Sequence, residues 1–586
     1  MTFSSNLINI GFIGIITYFL IISPYTKVEE SFNIQAIHDL IKYDFEEIDQ
    51  FDHITFPGVV KRSFIGSLLI STLTKILLPI SKNKLFSLVI SYEDSEILDI
   101  TQLNLQILSR FILGLLNGLA LISLKNSVIN ACNKRSRTIG FWYGLLQLSQ
   151  FHIFYYSSRT LPNFIALPFV NFALSKFIIG DLEICFLILS FTGIIFRIEI
   201  LIFTGILFLI SYCNKQIKFI NGLKYLIIGG IIGLISTFFI DSFFWKVEWT
   251  IPELESFYYN VIEGKSSNWG TEPWYYYLTF YLPKLFLKNP VVLLTILPGF
   301  FFDFVNFRVG TIKSISISSI LFVLIMSLQP HKEWRFIIYA IPGLTLSSAN
   351  TTVKIIGELR NIKFLQKIFK IIVILVCLFN ILLSLFMGYI FSFNYPGGDA
   401  INKLNLRLNL IDKEFNPLLM AQYQGNEIKV HMDVYSCMTG ITLFNEIDEE
   451  FLQNIKIIYD KTEDINKLND NDLEGWDSFD FIITDFDNDE NKNENYYHEK
   501  LKKLPDPVGC QWVKINVSKI YSGFQYKPII MLLKNLMNNP ESIGGLIYDL
   551  IINRTKSFIF RFFKSAIVLT PKVYTYEKVC PQDTLF

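Results

Sequence analysis

Long apolar blocks separated by short polar stretches set the pattern of this chain. Apolar runs lie near residues 6 to 22, 104 to 124, 139 to 156, 222 to 244, 314 to 328 and 368 to 393. Most of them approach the roughly 17 to 25 residues with which a helix crosses hydrocarbon. The pattern therefore predicts an α-helical polytopic membrane protein. Basic residues collect in short loops, at Lys134, Arg135 and Arg137, at Lys215 and Lys218, at Arg308 and Lys313, and at Lys354, Arg360, Lys363 and Lys367. Such loops face the cytoplasm. Keeping all of them on one face requires further spans near 162 to 179, 183 to 196, 200 to 212, 288 to 305 and 336 to 350, about eleven in all, with the N-terminus in the cytosol. The run Phe64 to Ile80 then reads as re-entrant or interfacial, because a crossing there would invert Lys134 to Arg137, the alternative being an ordinary span that breaks the charge rule.

This arrangement gathers four polar segments on the non-cytoplasmic face: Ser23 to Arg62, Ser157 to Asn163, Asp241 to Trp274 and His331 to Arg335. Two domains follow, a multi-span core over 1 to 393 and a C-terminal domain over 394 to 586 on that same face. In the second, the strand-prone stretches Glu427 to Tyr435, Ile455 to Tyr459 and Phe479 to Asp485 predict a small α/β fold, with solvated acidic loop elsewhere between Glu463 and Asp489.

Composition narrows the class further. Apolar residues make up 51% and charged residues 18% of the chain, and the formal net charge is zero, so nothing calls for nucleic acid or a polybasic surface partner. The first apolar run lacks a basic leader and a small-residue cleavage site, and reads as a retained span. Seven cysteines without CxxC spacing imply no metal site. Among Cys437, Cys510 and Cys580 the tail has material for one disulfide, whose pairing stays open. Sequons occur at Asn350, Asn516 and Asn553.

Three constellations carry candidate chemistry. The first follows the first span, Ser23-Pro-Tyr-Thr-Lys-Val-Glu-Glu-Ser-Phe-Asn33. Adjacent carboxylates this close to hydrocarbon are costly to leave unpaired. In a helical segment Glu29 and Glu30 point in different directions, leaving one as a general base in a cleft and the other to hold the loop. The second is His331-Lys-Glu-Trp-Arg-Phe336. Its cationic groups suit a phosphate, with the Arg335 fork able to take two oxygens and Glu333 holding a cation in place. The third spans Asp241 to Tyr277, where Trp and Tyr alternate with Asp, Glu and Asn. Asp241, Asn268 and Trp269 are its candidate sugar contacts, although aromatic belts at membrane surfaces look similar. Arg159 and the Arg197/Glu199 pair are candidate buried ion pairs.

Together, Pro24 to Asn33, Phe56-Pro-Gly-Val-Val60, Ser267-Asn-Trp-Gly-Thr271, His331 to Phe336, Asn394-Tyr-Pro-Gly-Gly398 and Val430-His-Met-Asp-Val434 resemble the dolichyl-phosphate-mannose-dependent mannosyltransferases of the endoplasmic reticulum, glycosyltransferase family 22. The likeness runs to about Gly440 and thins beyond it. It implies a bundle of the GT-C type, a luminal site, and dolichyl phosphate mannose as donor, with no cofactor and no divalent metal. It further implies α-1,6 transfer to a seven-mannose dolichyl-diphosphate-linked oligosaccharide. On this resemblance Glu29 or Glu30 is the catalytic base, with position favouring Glu29. His331, Lys332 and Arg335 bind the donor phosphate, and Glu333 and Arg159 support them. Relatives often carry Asp-Glu where this chain has Glu29-Glu30. Two alternatives remain at this stage: an α-1,2-mannosyltransferase of the same superfamily, acting on lipid-linked oligosaccharide or a glycolipid anchor, and a polytopic transporter.

Overall fold

The computed structural model describes residues 2–81, 101–131, 134–305, 310–413, 427–463, 475–487, 509–527, 530, 531, 534 and 566–580. Arg308 and the Asn553 sequon lie outside them. The chain divides into two compact units, the first comprising Met1–Pro24, Glu29–Ile90 and Asn104–Gly388, the second Tyr25–Val28, Ser91–Leu103 and Tyr389–Phe586.

The first unit is helical. Among the described residues five helices are long and apolar enough to cross a membrane, Ser5–Ile22, Leu103–Asn130, Pro162–Ile179, Phe219–Phe244 and Lys363–Phe391, and shorter apolar helices accompany them. Phe219–Phe244 buries only 17% of its most apolar window against protein and Lys363–Phe391 only 28%. Helices so apolar on exposed faces are at home in lipid, which takes the place of water around them. The multi-pass character expected from the hydropathy pattern is thus present in the fold. Lipid tails are as apolar as leucine, so close backbone approach and polar pairs hold such helices together. At Gly229 a Cβ would sit 2.2 Å from the Leu187 carbonyl oxygen, which lets Phe219–Phe244 lie against Leu182–Ile195. Asn117, fully buried, donates to the carbonyls of Ser157 and Phe164, both at 2.9 Å.

Two expected spans differ in form. The 139 to 156 run is interrupted: helix Lys134–Leu148 ends, Gln150 is extended, and a short helix Phe151–Tyr156 follows. The 336 to 350 run starts as a 3-10 turn, Trp334–Ala340, and the α-helix proper is Ile341–Glu358, begun by Pro342 in its first turn. Phe64 to Ile80 forms a continuous helix, Ile65–Ser81, with Pro79 in its last turn.

The second unit is α/β, as the strand-prone runs predict. Strands β1 (Glu427–Met432), β2 (Lys456–Asp460), β3 (Phe481–Thr484), β4 (Gln511–Phe524) and β5 (Ile567–Val579) form one sheet in the order β2-β1-β3-β5-β4. The first three are parallel and the last two join antiparallel. Helix Pro396–Lys413 covers one face because Ala400, Ile401, Leu404 and Leu408 recur at helical spacing and meet Ile428, Val430, Phe481 and Ile483. Trp476, Phe479, Ile482, Trp512 and Tyr576 pack together in a second cluster. Cys510 and Cys580 are disulfide-bonded, and Cys437 stands outside that bond.

Candidate active site

The first loop turns sharply into a helix. Val28–Glu30 is a 3-10 turn and Ser31–Lys42 an α-helix, so consecutive acids diverge. Glu29 is exposed, and among the described residues its carboxylate takes part in no hydrogen bond or ion pair. Glu30 is buried, with its Oε1 2.8 Å from Arg159 Nη1 and its Oε2 accepting from the Thr160 amide at 3.2 Å. Arg159 spends its other Nη on Ser23 Oγ (2.9 Å) and the Tyr155 hydroxyl (2.7 Å), and its guanidinium lies 4.5 Å from the centre of the Tyr155 ring. Asn33 donates to the Thr160 carbonyl at 2.7 Å. The loop is therefore stitched to residues 159 to 160 at both ends of the turn, by contacts that leave Glu29 alone.

Arg110 adds a second clamp that the sequence did not single out. Buried in helix Leu103–Asn130, it donates to the carbonyls of Ser23, Pro24 and Ser158. Its place inside an apolar run is the one signal it leaves in the sequence.

In the second constellation Glu333 is the shared partner of Arg335 and His331. Arg335 grips Glu333 with two nitrogens, Nε to Oε2 at 2.5 Å and Nη2 to Oε1 at 2.9 Å. His331 Nε2 lies 3.2 Å from Glu333 Oε1, and its Nδ1 3.0 Å from the Gly270 carbonyl. Burial pushes the Glu333 carboxyl up, but Arg335 and His331 outweigh it and hold the group below the usual range. Both Arg335 and His331 keep part of their surface open. Lys332 does not. It is buried, and its ammonium donates to the carbonyls of Glu272 (3.0 Å) and Gln329 (2.5 Å). Expected to meet phosphate, it instead ties the 270 to 272 loop to the 329 to 332 turn.

That tie positions the aromatic loop. With the Glu272 amide bonded to the Pro330 carbonyl at 3.0 Å, the short turn Lys265–Trp269 stands next to the charged cluster, and Asn268 and Trp269 are exposed. Asp241 is elsewhere. It has no exposed surface, and it accepts from the Phe64 amide (2.7 Å), Ser63 Oγ (3.2 Å) and Thr237 Oγ1 (2.5 Å). Rather than meeting a sugar, it fixes the turn before helix Ile65–Ser81.

The two constellations meet around helix Phe151–Tyr156. Trp334 packs on Tyr156 with ring centres 4.6 Å apart, and Tyr156 lies 5.8 Å from the Arg159 guanidinium and within electrostatic reach of Glu29 and Glu30. A third group of charges sits beside them. Arg197 Nε is 2.9 Å from Glu199, which accepts from Asn163 at 3.0 Å, and Asn163 also reaches the Tyr339 hydroxyl. Glu253 accepts from the Ile198 amide, and burial pushes its carboxyl up to about 6 against the pull of Arg197 and Arg62. An exposed carboxylate, partly open cations and an aromatic loop on one scaffold have the parts for proton abstraction beside an anionic leaving group.

Residues 10–415 match the Alg9-like mannosyltransferase family, and the chain belongs to it. It is 31% identical to the Dol-P-Man:Man(7)GlcNAc(2)-PP-Dol alpha-1,6-mannosyltransferase of Saccharomyces cerevisiae, over 96% of this chain and 97% of that protein. It is 35% identical to the probable enzyme of the same name from Schizosaccharomyces pombe, over 88% and 83%, and 30% identical to that of Arabidopsis thaliana, over 73% and 78%. Among solved structures, ArnT from Cupriavidus metallidurans bound to undecaprenyl phosphate aligns with 76% of this chain and 85% of its own at a TM-score of 0.44 and 9% identity.

Proposed function

We propose that this protein transfers mannose from dolichyl phosphate mannose, in α-1,6 linkage, to the seven-mannose dolichyl-diphosphate-linked oligosaccharide, at a luminal site of the endoplasmic reticulum membrane. The reading rests above all on the near full-length likeness to relatives that carry this activity in their names. The luminal placement rests on the basic loops, which belong to the opposite face. The multi-span core of 1 to 393 would carry the reaction, and the domain from 394 onward would stand on the same side.

In this reading Glu29 takes the proton of the acceptor's 6-hydroxyl as that oxygen attacks the anomeric carbon from the side opposite phosphate. The new C–O bond forms as the old one breaks, dolichyl phosphate leaves with the electron pair, and the anomeric centre inverts. The base works as in an inverting glycosidase, but a phosphate departs as an anion and needs no acid. Arg335 and His331 stabilise the charge it gains. Lys332 and Glu333 hold them in place, Glu30 and Arg159 hold the base, and Asn268 and Trp269 contact sugar.

The test is transfer by the detergent-purified chain from labelled dolichyl phosphate mannose to the seven-mannose lipid. Expected is a product one mannose longer whose label an α-1,6-specific mannosidase removes. Release by an α-1,2-specific enzyme, or no transfer from this donor, would refute the assignment.

A further inference from the structure

The basic end of helix Lys363–Phe391 carries charge that the site described above does not use. Between residues 354 and 370 the chain sets Lys354, Arg360, Lys363, Lys367 and Lys370 against a single acid, Glu358. Arg360 lies in the 3-10 turn Leu359–Asn361, and the last three lysines lie in the first turns of the helix. Arg360, Lys363 and Lys367 are exposed and Lys370 is half-buried. Among the described residues, none of these four side chains takes part in a hydrogen bond or ion pair. The cations are therefore available to a partner from outside the chain.

Length sets the depth at which they sit. The rest of the helix, residues 371 to 391, carries no charge. At ~1.5 Å per residue it runs roughly 30 Å, the thickness of the hydrocarbon core. The lysines are thus held at the level of lipid headgroups.

Direction narrows the partner further. Lys363, Lys367 and Lys370 follow one another at helical spacing and share one side of the helix. The residues that this helix buries, Val373, Cys377, Asn380, Ser384 and Gly388, form a second stripe, turned from the first by roughly 60° at ~100° per residue. The far side, with Phe364, Leu375 and Phe379, is exposed and apolar, as a surface facing lipid is. The lysine stripe consequently runs along the shoulder between the protein-facing and lipid-facing sides. Next along the same shoulder, towards the membrane interior, come Ile374 and Leu378, both exposed. A cationic head with an apolar seam beneath it complements a lipid that has an anionic headgroup and an acyl chain. A soluble anion would leave the seam uncovered, and a lipid without net charge would leave the lysines unneutralised.

We infer that Lys363, Lys367 and Lys370 bind the headgroup of an anionic glycerophospholipid of the cytoplasmic leaflet, whose acyl chain lies along Ile374 and Leu378. The leaflet follows from the basic loops sharing one face. The inference does not depend on which sugar is transferred or to what acceptor.

The experiment is native mass spectrometry of the full-length protein in detergent, titrated with equal amounts of phosphatidylserine and phosphatidylcholine bearing the same acyl chains. A lysine beside an anionic headgroup is worth a factor of about five in binding. Wild type should therefore carry phosphatidylserine in preference to phosphatidylcholine, and the triple variant Lys363→Gln, Lys367→Gln, Lys370→Gln should lose about 30- to 100-fold of that preference. The double variant Lys215→Gln, Lys218→Gln neutralises another basic loop of the same face and should stay within twofold of wild type. Should the triple variant fail to fold, each single variant carries the measurement, with a loss of about fivefold. Salt supplies a readout on wild type alone, since raising it from about 0.05 to about 0.5 M should weaken the preference severalfold. Equal binding of the two lipids by wild type would overturn the inference. So would a triple variant within twofold of wild type, a preference indifferent to salt, or an equal loss in the Lys215 and Lys218 double variant.

Discussion

Two charged regions of the helical unit use the same residue types to opposite ends. Around Glu30 and Arg159 the carboxylate and guanidinium are both buried, and every named neighbour, Ser23, Tyr155 and Thr160, is drawn into hydrogen bonds with them. Around Glu333 the ion pair is as close, but His331 and Arg335 retain exposed surface. The first region is closed and holds a shape. The second is open and holds charge in readiness. The lesson is that proximity of opposite charges does not by itself mark a working site; what decides is whether the paired groups keep surface open once the pair has formed.

The largest effect should come from breaking the closed region. Arg159→Ala leaves Glu30 buried and unpaired, and is expected to destabilise the protein by about 3–5 kcal/mol, read as a fall in unfolding midpoint in detergent. A stability near wild type would show that the region is not closed after all. In the open region the expected loss is kinetic. Arg335→Lys keeps the charge and loses the two-pronged grip, so KM for dolichyl phosphate mannose should rise roughly tenfold, with the unfolding midpoint little changed. Unaltered donor kinetics would remove Arg335 from the phosphate site.

The charges beside both regions sharpen the contrast through pH. Glu253 has its folded pKa raised by burial to about 6 from 4.5. Between those values the folded state holds more protons than the unfolded, so stability rises as pH falls from 7 towards 4.5 and is lost again as pH climbs through 6. Glu253→Gln should flatten that rise, worth about 2 kcal/mol, in unfolding measured across this range. An unchanged slope would assign it to other groups. The smallest effect is predicted at the rim: Trp269→Ala, exposed on its turn, should raise the acceptor KM only about three- to tenfold, the scale of one aromatic contact with a ligand. No change would place the sugar elsewhere.

Much of this was legible in the residues. Hydropathy gives the helical membrane class because lipid demands long apolar helices, and short strand-prone apolar runs give β1, β2 and β3 because parallel strands covered on their faces are rich in apolar residues. The motif strings point to the family. What stayed hidden depends on the third dimension. Glu30 and Arg159 are 129 positions apart, and neither sequence position names the other. Lys332 reads as a phosphate ligand until the turn beneath it presents two carbonyls. Asp241 reads as a sugar contact until the Ser63-Phe64 turn arrives to take its oxygens. Gln150 breaks an apolar run that has no proline or glycine at that point.

The central claim is that two neighbouring acids have been given separate tasks, Glu29 to react and Glu30 to hold. Turnover and unfolding midpoint measured side by side for Glu29→Gln and Glu30→Gln test it most directly. The account predicts that Glu29→Gln loses about 100- to 10,000-fold in kcat at an unchanged midpoint, whereas Glu30→Gln lowers the midpoint. Glu29→Gln turning over at the wild-type rate would contradict it.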